Sequence, residues 1–246
     1  MILNVLRLIQ RFMDIYYRPT LLFVIAYLFL RGFSWFFIFV SIVLIFFYNS
    51  SRRFWADIPN VPRPSDRNNA IFFNRFKFGG HRGSPWAFPE NSMSGFQAAK
   101  KEGADLIEFD VALTKDKIAV LLHDDDLDRT TNGKGPIWNK NFDELAGFKL
   151  ASKFRRHDTA PYRGPVPLEG IPKLEEVIQW AKTNDMLMLF DVKDYSDEMV
   201  NQLVKLINQY NIKTSSIVCS FFPWVVYKIK RADPEILTGI ALIRWN

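Results

Sequence analysis

The chain holds a set of residues whose types and spacing suit chemistry on an anionic ester. His81 and Arg82 stand before a glycine, Glu108 and Asp110 lie two apart, His123 is followed by Asp124, and Asp191 and Lys193 lie two apart. In a strand, side chains two apart point to the same face, so Glu108 and Asp110 can address one point, as can Asp191 and Lys193. Three converging carboxylates are hard oxygen ligands that suit Mg²⁺ or Ca²⁺ better than zinc. Without a cation they would repel one another strongly. Two histidines could serve as general base and general acid. Arg82 and Lys193 supply positive charge, arginine being suited to bidentate phosphate contact. The inventory describes metal-assisted cleavage of a phosphodiester.

Taken singly, each residue has a plainer reading. A histidine at a strand end can be a solvated or capping residue, Glu-x-Asp can line a wet face, and Asp191 with Lys193 can be an ordinary ion pair. Their coincidence at successive strand ends is what carries the functional reading. His157, in KFRRHD, reads as a solvated loop residue, and Cys219, in an apolar strand, as core rather than nucleophile. A single cysteine excludes an intrachain disulfide and any multi-cysteine zinc site.

The elements that must position these residues alternate. Strands are expected near 77, 108, 120, 188, 218 and 239, in apolar runs separated by helices at about 92–102, 172–182, 196–210 and 223–231. This is the pattern of a parallel sheet covered by helices. The chemistry-bearing residues fall where strand gives way to loop, the face on which barrel enzymes carry their sites. An eight-stranded (β/α) barrel takes about 250 residues. The 171 residues from Phe76 to Asn246 suffice for about six strand units.

The remaining chain is of another kind. Residues 20–48 are almost wholly apolar, interrupted by Arg31-Gly32, and are read as a membrane segment within 1–53, either one tilted span or a tight hairpin. Residues 54–75, polar and proline-bearing at 60–69, are read as a linker. The net charge of +6 divides along the same line. Residues 1–53 carry Arg7, Arg11, Arg18, Arg31, Arg52 and Arg53 against Asp14, whereas 54–246 holds 26 basic and 25 acidic residues. A balanced globular part argues against nucleic acid as a partner. Location in an endomembrane or the plasma membrane is expected, with no side chosen.

In order, HRGSPWAFPENS (81–92), EFD (108–110), LLHDDDLDRTTNGKG (121–135), GIPKLEEV (170–177) and FDVK (190–193) resemble the glycerophosphodiester phosphodiesterase family. The resemblance runs from about Phe78 to the end of the chain. FDVK, the stretch 215–235 and the hydrophobic N-terminus are most similar to its membrane-bound animal branch, which acts on glycerophosphoinositol. Ser84, Ser92 and Asp191 stand where many members have Gly, Thr and Glu.

The resemblance implies a TIM (β/α)8-type barrel, incomplete here at the C-terminus, with an insertion at about 124–169 that shapes the substrate pocket. It implies that a glycerophosphodiester or lysophospholipid is cleaved to glycerol 3-phosphate or a lysophosphatidate plus an alcohol. Glu108, Asp110 and Asp191 would be metal ligands, His81 and His123 the acid/base pair, and Arg82 and Lys193 the phosphate contacts. In the usual proposal for the family, the glycerol 2-hydroxyl attacks phosphorus and water then opens the cyclic phosphate. The alternative expectation is a truncated, inactive member that acts through partners.

Overall fold

The computed structural model describes residues 66–241, together with helical positions 24, 25, 27, 39–46, 48 and 49. The chain divides into two compact units, residues 1–58 and 59–246. In the first, the described positions are helical and present exposed apolar side chains, among them Tyr27, Phe39, Ile42 and Phe46. Among the described residues, no helix is long and apolar enough to cross a membrane. The rest of the expected membrane segment lies outside the described residues.

The second unit opens with helix α1 (Asp66–Arg75). The last ten residues of the expected linker are therefore helical, and Phe72 among them is 1% exposed and packs on Leu106, Leu187 and Leu237. Strand β1 (Gly79–Gly80) lies just after the strand position expected near 77, and Arg75 belongs to α1. There follow α2 (Met93–Lys101), β2 (Leu106–Leu113), β3 (Ala119–Leu121), three short 3₁₀ turns between 137 and 152, α3 (Leu174–Thr183), β4 (Leu187–Val192), α4 (Asp197–Gln209), β5 (Ser216–Ser220), α5 (Pro223–Ala232) and β6 (Leu237–Ile240).

Local chemistry sets several of these bounds. Ser92 Oγ accepts from the Gly95 amide at 3.0 Å and starts α2, while Gly103, at φ +91°, ends that turn. Ser196 caps α4 in the same way, with Asp197 and Glu198 in the first turn, where the helix dipole favours negative charge. Pro223 stands at the first turn of α5.

The sheet order is β1-β2-β4-β5-β6, all parallel, with β3 paired only to β2 and antiparallel to it. This corrects the expectation of about six barrel strands to five among the described residues. The physical reason is the connection. A parallel crossover needs a dozen or more residues, whereas β2 and β3 are joined by a tight turn closed by Thr114 N–H to Ile118 C=O at 3.0 Å, with Lys117 at φ +64°.

One face of the parallel arc meets the helices. Phe109, Val111, Phe190 and Val192 are fully buried there, with Phe96, Val177, Leu203 and Ile229 among their cluster. Phe109 and Phe190 meet edge to face at 4.9 Å. The other face is layered. Phe72 with Leu106, Leu187 and Leu237 fills the end at which the strands begin. Polar side chains occupy the end at which they finish.

Candidate active site

The register of β2 and β4 builds the centre of the site. Asp110 pairs with Asp191 and Glu108 with Leu189, so Glu108 and Asp110 share a face with Asp191 directly beside them. The three carboxylates each offer an oxygen, all within 4.8 Å of one another. Asp110 is 1% exposed. Burial raises the Glu108 carboxyl, the charge of Asp110 raises it further, and it reaches about 7.

Cations surround the cluster without saturating it. Lys193 Nζ donates to Asp191 Oδ2 at 2.7 Å and approaches Asp110 Oδ1 to 3.1 Å without a directed hydrogen bond. Burial opposes its charge, but the two aspartates outweigh it and raise the ammonium above the ordinary lysine value. Arg82 Nε lies 3.3 Å from Asp110 Oδ2, again without hydrogen-bond geometry. Asp110 Oδ1 and Asp191 Oδ1 are buried and accept no hydrogen bond. Two orphaned carboxylate oxygens beside a half-neutralised glutamate fit a hard divalent cation.

The segment after β1 is shaped to meet this cluster. Gly80 and Gly83 allow a sharp turn. A Cβ at Gly80 would sit 2.3 Å from the Gly83 carbonyl oxygen. Gly83, at φ +88°, packs so close to α2 that its Cβ would lie 2.8 Å from the Gly95 carbonyl carbon. The turn places Arg82 at φ +57° and aims its amide at Glu108 Oε2, 2.7 Å away. His81 Nε2 lies 3.9 Å from the same oxygen. Burial and then the charge of Arg82 hold the His81 imidazole below its ordinary value, so it is neutral near pH 7.

His123 arrives by a route the sequence did not suggest. It does not end a barrel strand. The hairpin folds β3 back along β2, and the Leu122 amide donates to the Asp110 carbonyl at 3.1 Å, which sets His123 beside the cluster. His123 Nδ1 is 2.6 Å from Asp124 Oδ1. A cleft of about 470 Å³ adjoins it, lined by His123, Asp124, Asp125, Val192, Lys193, Tyr195, Phe221 and Phe222.

The structure thus gathers all seven expected site residues at one end of the sheet and adds others. Asn91, next to the cap Ser92, turns to Asp110, donating to Oδ2 at 2.8 Å and accepting its amide at 3.1 Å. Its φ of +56°, a conformation asparagine tolerates, makes that possible. Glu90 receives Arg82 and Arg129. Glu169, at the end of the expected insertion, accepts from the Ser94 amide at 3.2 Å and so ties that loop to the start of α2. The signal for Glu90 and Asn91 was present in PENS, but spacing alone does not assign a loop residue its contact.

The remaining candidates are peripheral. His157 is exposed and pairs with Thr159 at 2.8 Å. Cys219 is half-buried opposite Asp191, and burial, with the neighbouring carboxylates, pushes its thiol up to about 12, which removes it as a nucleophile. Phe88 packs on Tyr162 at 4.8 Å, while Trp86 and Trp138 remain exposed.

Residues 81–241 match the profile of the glycerophosphoryl diester phosphodiesterase family. The chain belongs to that family. The glycerophosphodiester phosphodiesterase 1 of Homo sapiens is 32% identical over 187 residues, which cover 76% of this chain and 52% of the human protein. The glycerophosphodiester phosphodiesterase of Caldanaerobacter subterraneus is 33% identical over 167 residues, 65% of this chain and 64% of the bacterial one. The chain spans about half the length of the animal relatives it matches. Among solved structures, a phosphodiesterase of Oleispira antarctica in complex with sn-glycerol-3-phosphate aligns with a TM-score of 0.60 at 27% identity, over 68% of this chain and 67% of that one. The glycerophosphodiester phosphodiesterase of Agrobacterium tumefaciens, at 24% identity and a TM-score of 0.56 over 66% of this chain and 65% of that one, shares the fold.

Proposed function

We propose that this family member hydrolyses glycerophosphodiesters, of the glycerophosphoinositol or lysophospholipid type, and does so anchored to a membrane. The observation that carries the reading is the convergence of three carboxylates within 4.8 Å, flanked by Arg82 and Lys193 and reached by two histidines. Glu108, Asp110 and Asp191 hold a divalent metal, Mg²⁺ or Ca²⁺. Such an ion, when bound, offsets charge on a phosphoryl oxygen and on the three carboxylates.

The protein residues divide the remaining work. Arg82 and Lys193 bind and orient the anionic phosphate. Neutral His81 is free to take the proton of the attacking hydroxyl as its oxygen bonds to phosphorus. His123, steadied by Asp124, gives a proton to the alcohol oxygen as the bond from phosphorus to that oxygen breaks, and water then opens the cyclic phosphate with the two histidines exchanging roles. The apolar residues 20–48, with exposed Phe39 and Phe46 among them, support the anchor.

The test is release of inositol or glycerol 3-phosphate from glycerophosphoinositol by the full chain with Mg²⁺, beside His123→Ala and Asp191→Ala. Removing a general acid is expected to slow the reaction about 10²–10⁴-fold. Equal rates in all three proteins would sink the reading. A chain that binds Mg²⁺ and folds but turns nothing over would favour the inactive alternative.

A further inference from the structure

We propose, resting on the phosphodiesterase reading above, that Arg129 and Glu90 are positioning residues that lock the two halves of the site together and fix the imidazole of His123. Neither touches the carboxylate cluster. Arg129 makes four hydrogen bonds to two carboxylates. Its Nε and Nη2 donate to Asp124 Oδ2 at 2.5 Å and Oδ1 at 3.0 Å. Its Nη1 and Nη2 donate to Glu90 Oε2 at 2.8 Å and Oε1 at 2.7 Å. Glu90 Oε1 also accepts from Arg82 Nη1 at 3.0 Å.

The path is continuous. It runs from His123 through Asp124, Arg129 and Glu90 to Arg82, whose amide holds Glu108. The loop that follows β3 carries one end and the loop between β1 and α2 carries the other. The backbone joins these two loops through the His157 amide and the Trp86 carbonyl at 2.9 Å, and the guanidinium adds the side-chain link that runs through Asp124 and Glu90.

A stability role does not account for this geometry. The Arg129 side chain is 49% exposed, and exposed ion pairs contribute little to folding. Two bidentate pairs, in contrast, fix direction as well as distance. With both of its oxygens held by Arg129, Asp124 cannot rotate. An ionised carboxylate only accepts, so the His123 nitrogen facing it stays protonated, and Nε2, left toward the cleft, is the atom that gives its proton to the alcohol. Hydrogen bonding to Arg129 holds Asp124 at about 2, so it stays ionised across the working range. Residues that orient a working side chain in this way typically contribute about 10–100-fold.

The experiment uses the full chain and Arg129→Gln and Glu90→Gln. Each is expected to lower kcat for glycerophosphoinositol by about 10–100-fold with KM nearly unchanged. In a His123→Ala background Arg129→Gln should add less than about twofold, because its effect passes through that histidine, whereas Glu90→Gln keeps a residual effect through Arg82. With only three histidines in the chain, ¹⁵N signals of His123 are assignable. The parent is expected to keep Nδ1 protonated against Asp124, with only Nε2 gaining and losing its proton, and both variants to show mixed tautomers of the neutral ring. Full additivity with His123→Ala, or an unaltered tautomer in both variants, overturns the bridge. If the parent hydrolyses nothing, the phosphodiesterase reading fails, and the imidazole signal alone decides the bridge.

Discussion

Glu108 bears much of the electrostatic cost of the carboxylate cluster. Its folded value of about 7 exceeds the ordinary 4.5 because it is buried beside Asp110. The folded chain therefore holds this proton more tightly than the unfolded chain. Metal-free stability is full below pH 4.5 and falls as pH rises through 7, by on the order of 3 kcal/mol. Asp124, held low by Arg129, is ionised throughout that window and does not mask the effect. Melting of the metal-free chain at pH 5 and pH 7.5 should show the lower midpoint at pH 7.5. Millimolar Mg²⁺ should raise the midpoint more at pH 7.5 than at pH 5, because at the lower pH a proton competes for the site. A metal effect larger at pH 5 would remove Glu108 from the ligand set. At this scale the sequence was most legible: the i, i+2 spacing of Glu108 with Asp110 and of Asp191 with Lys193 fixes which side chains share a face. Arg129, Glu90 and Asn91 were not legible, because loop conformation decides their partners.

Among the elements, α1 and the β2–β3 hairpin depart from expectation for different reasons. The α1 sequence DRNNAIFFNR is polar enough to pass for linker, and it is anchored by buried Phe72 and by Arg75 on Asp185 at 2.7 Å. Phe72→Ala should destabilise the second unit by about 3–5 kcal/mol, read as a lowered urea midpoint with an unchanged slope. A loss below about 1 kcal/mol would mean that α1 is an ornament on the sheet. Strand β3 was expected at the right residues but in the wrong role. Periodicity shows that a segment is extended and says nothing of the direction in which it pairs, whereas the length of the Thr114–Ile118 turn does. The helices α2, α4 and α5 were legible to within a residue or two, since the caps Ser92 and Ser196 and the first-turn Pro223 lie in plain sight.

For the whole molecule, charge and length point the same way. The basic excess belongs to residues 1–53, and the family profile begins only at residue 81. If the apolar segment is an anchor, the full chain expressed in cells should remain in the membrane pellet after alkaline carbonate extraction. Quantitative release into the supernatant would overturn the anchor. The same split predicts that binding of residues 60–246 to duplex DNA stays weak even at low salt. A steep dependence of log affinity on log salt would contradict the charge-balanced reading of the second unit.

The hairpin that carries His123 also separates catalytic geometry from barrel circumference. On a barrel strand, the spacing between two histidines would depend on how the whole ring closes. Here it depends on register. Three residue pairs and the Leu122–Asp110 hydrogen bond act as a ruler laid along β2. A slip of one residue would turn His123 to the opposite face, and a slip of two would carry it about 7 Å along the strand. The distance from imidazole to carboxylates is thus metered by the turn at Lys115–Lys117, and changes on the far side of the sheet leave that measure intact.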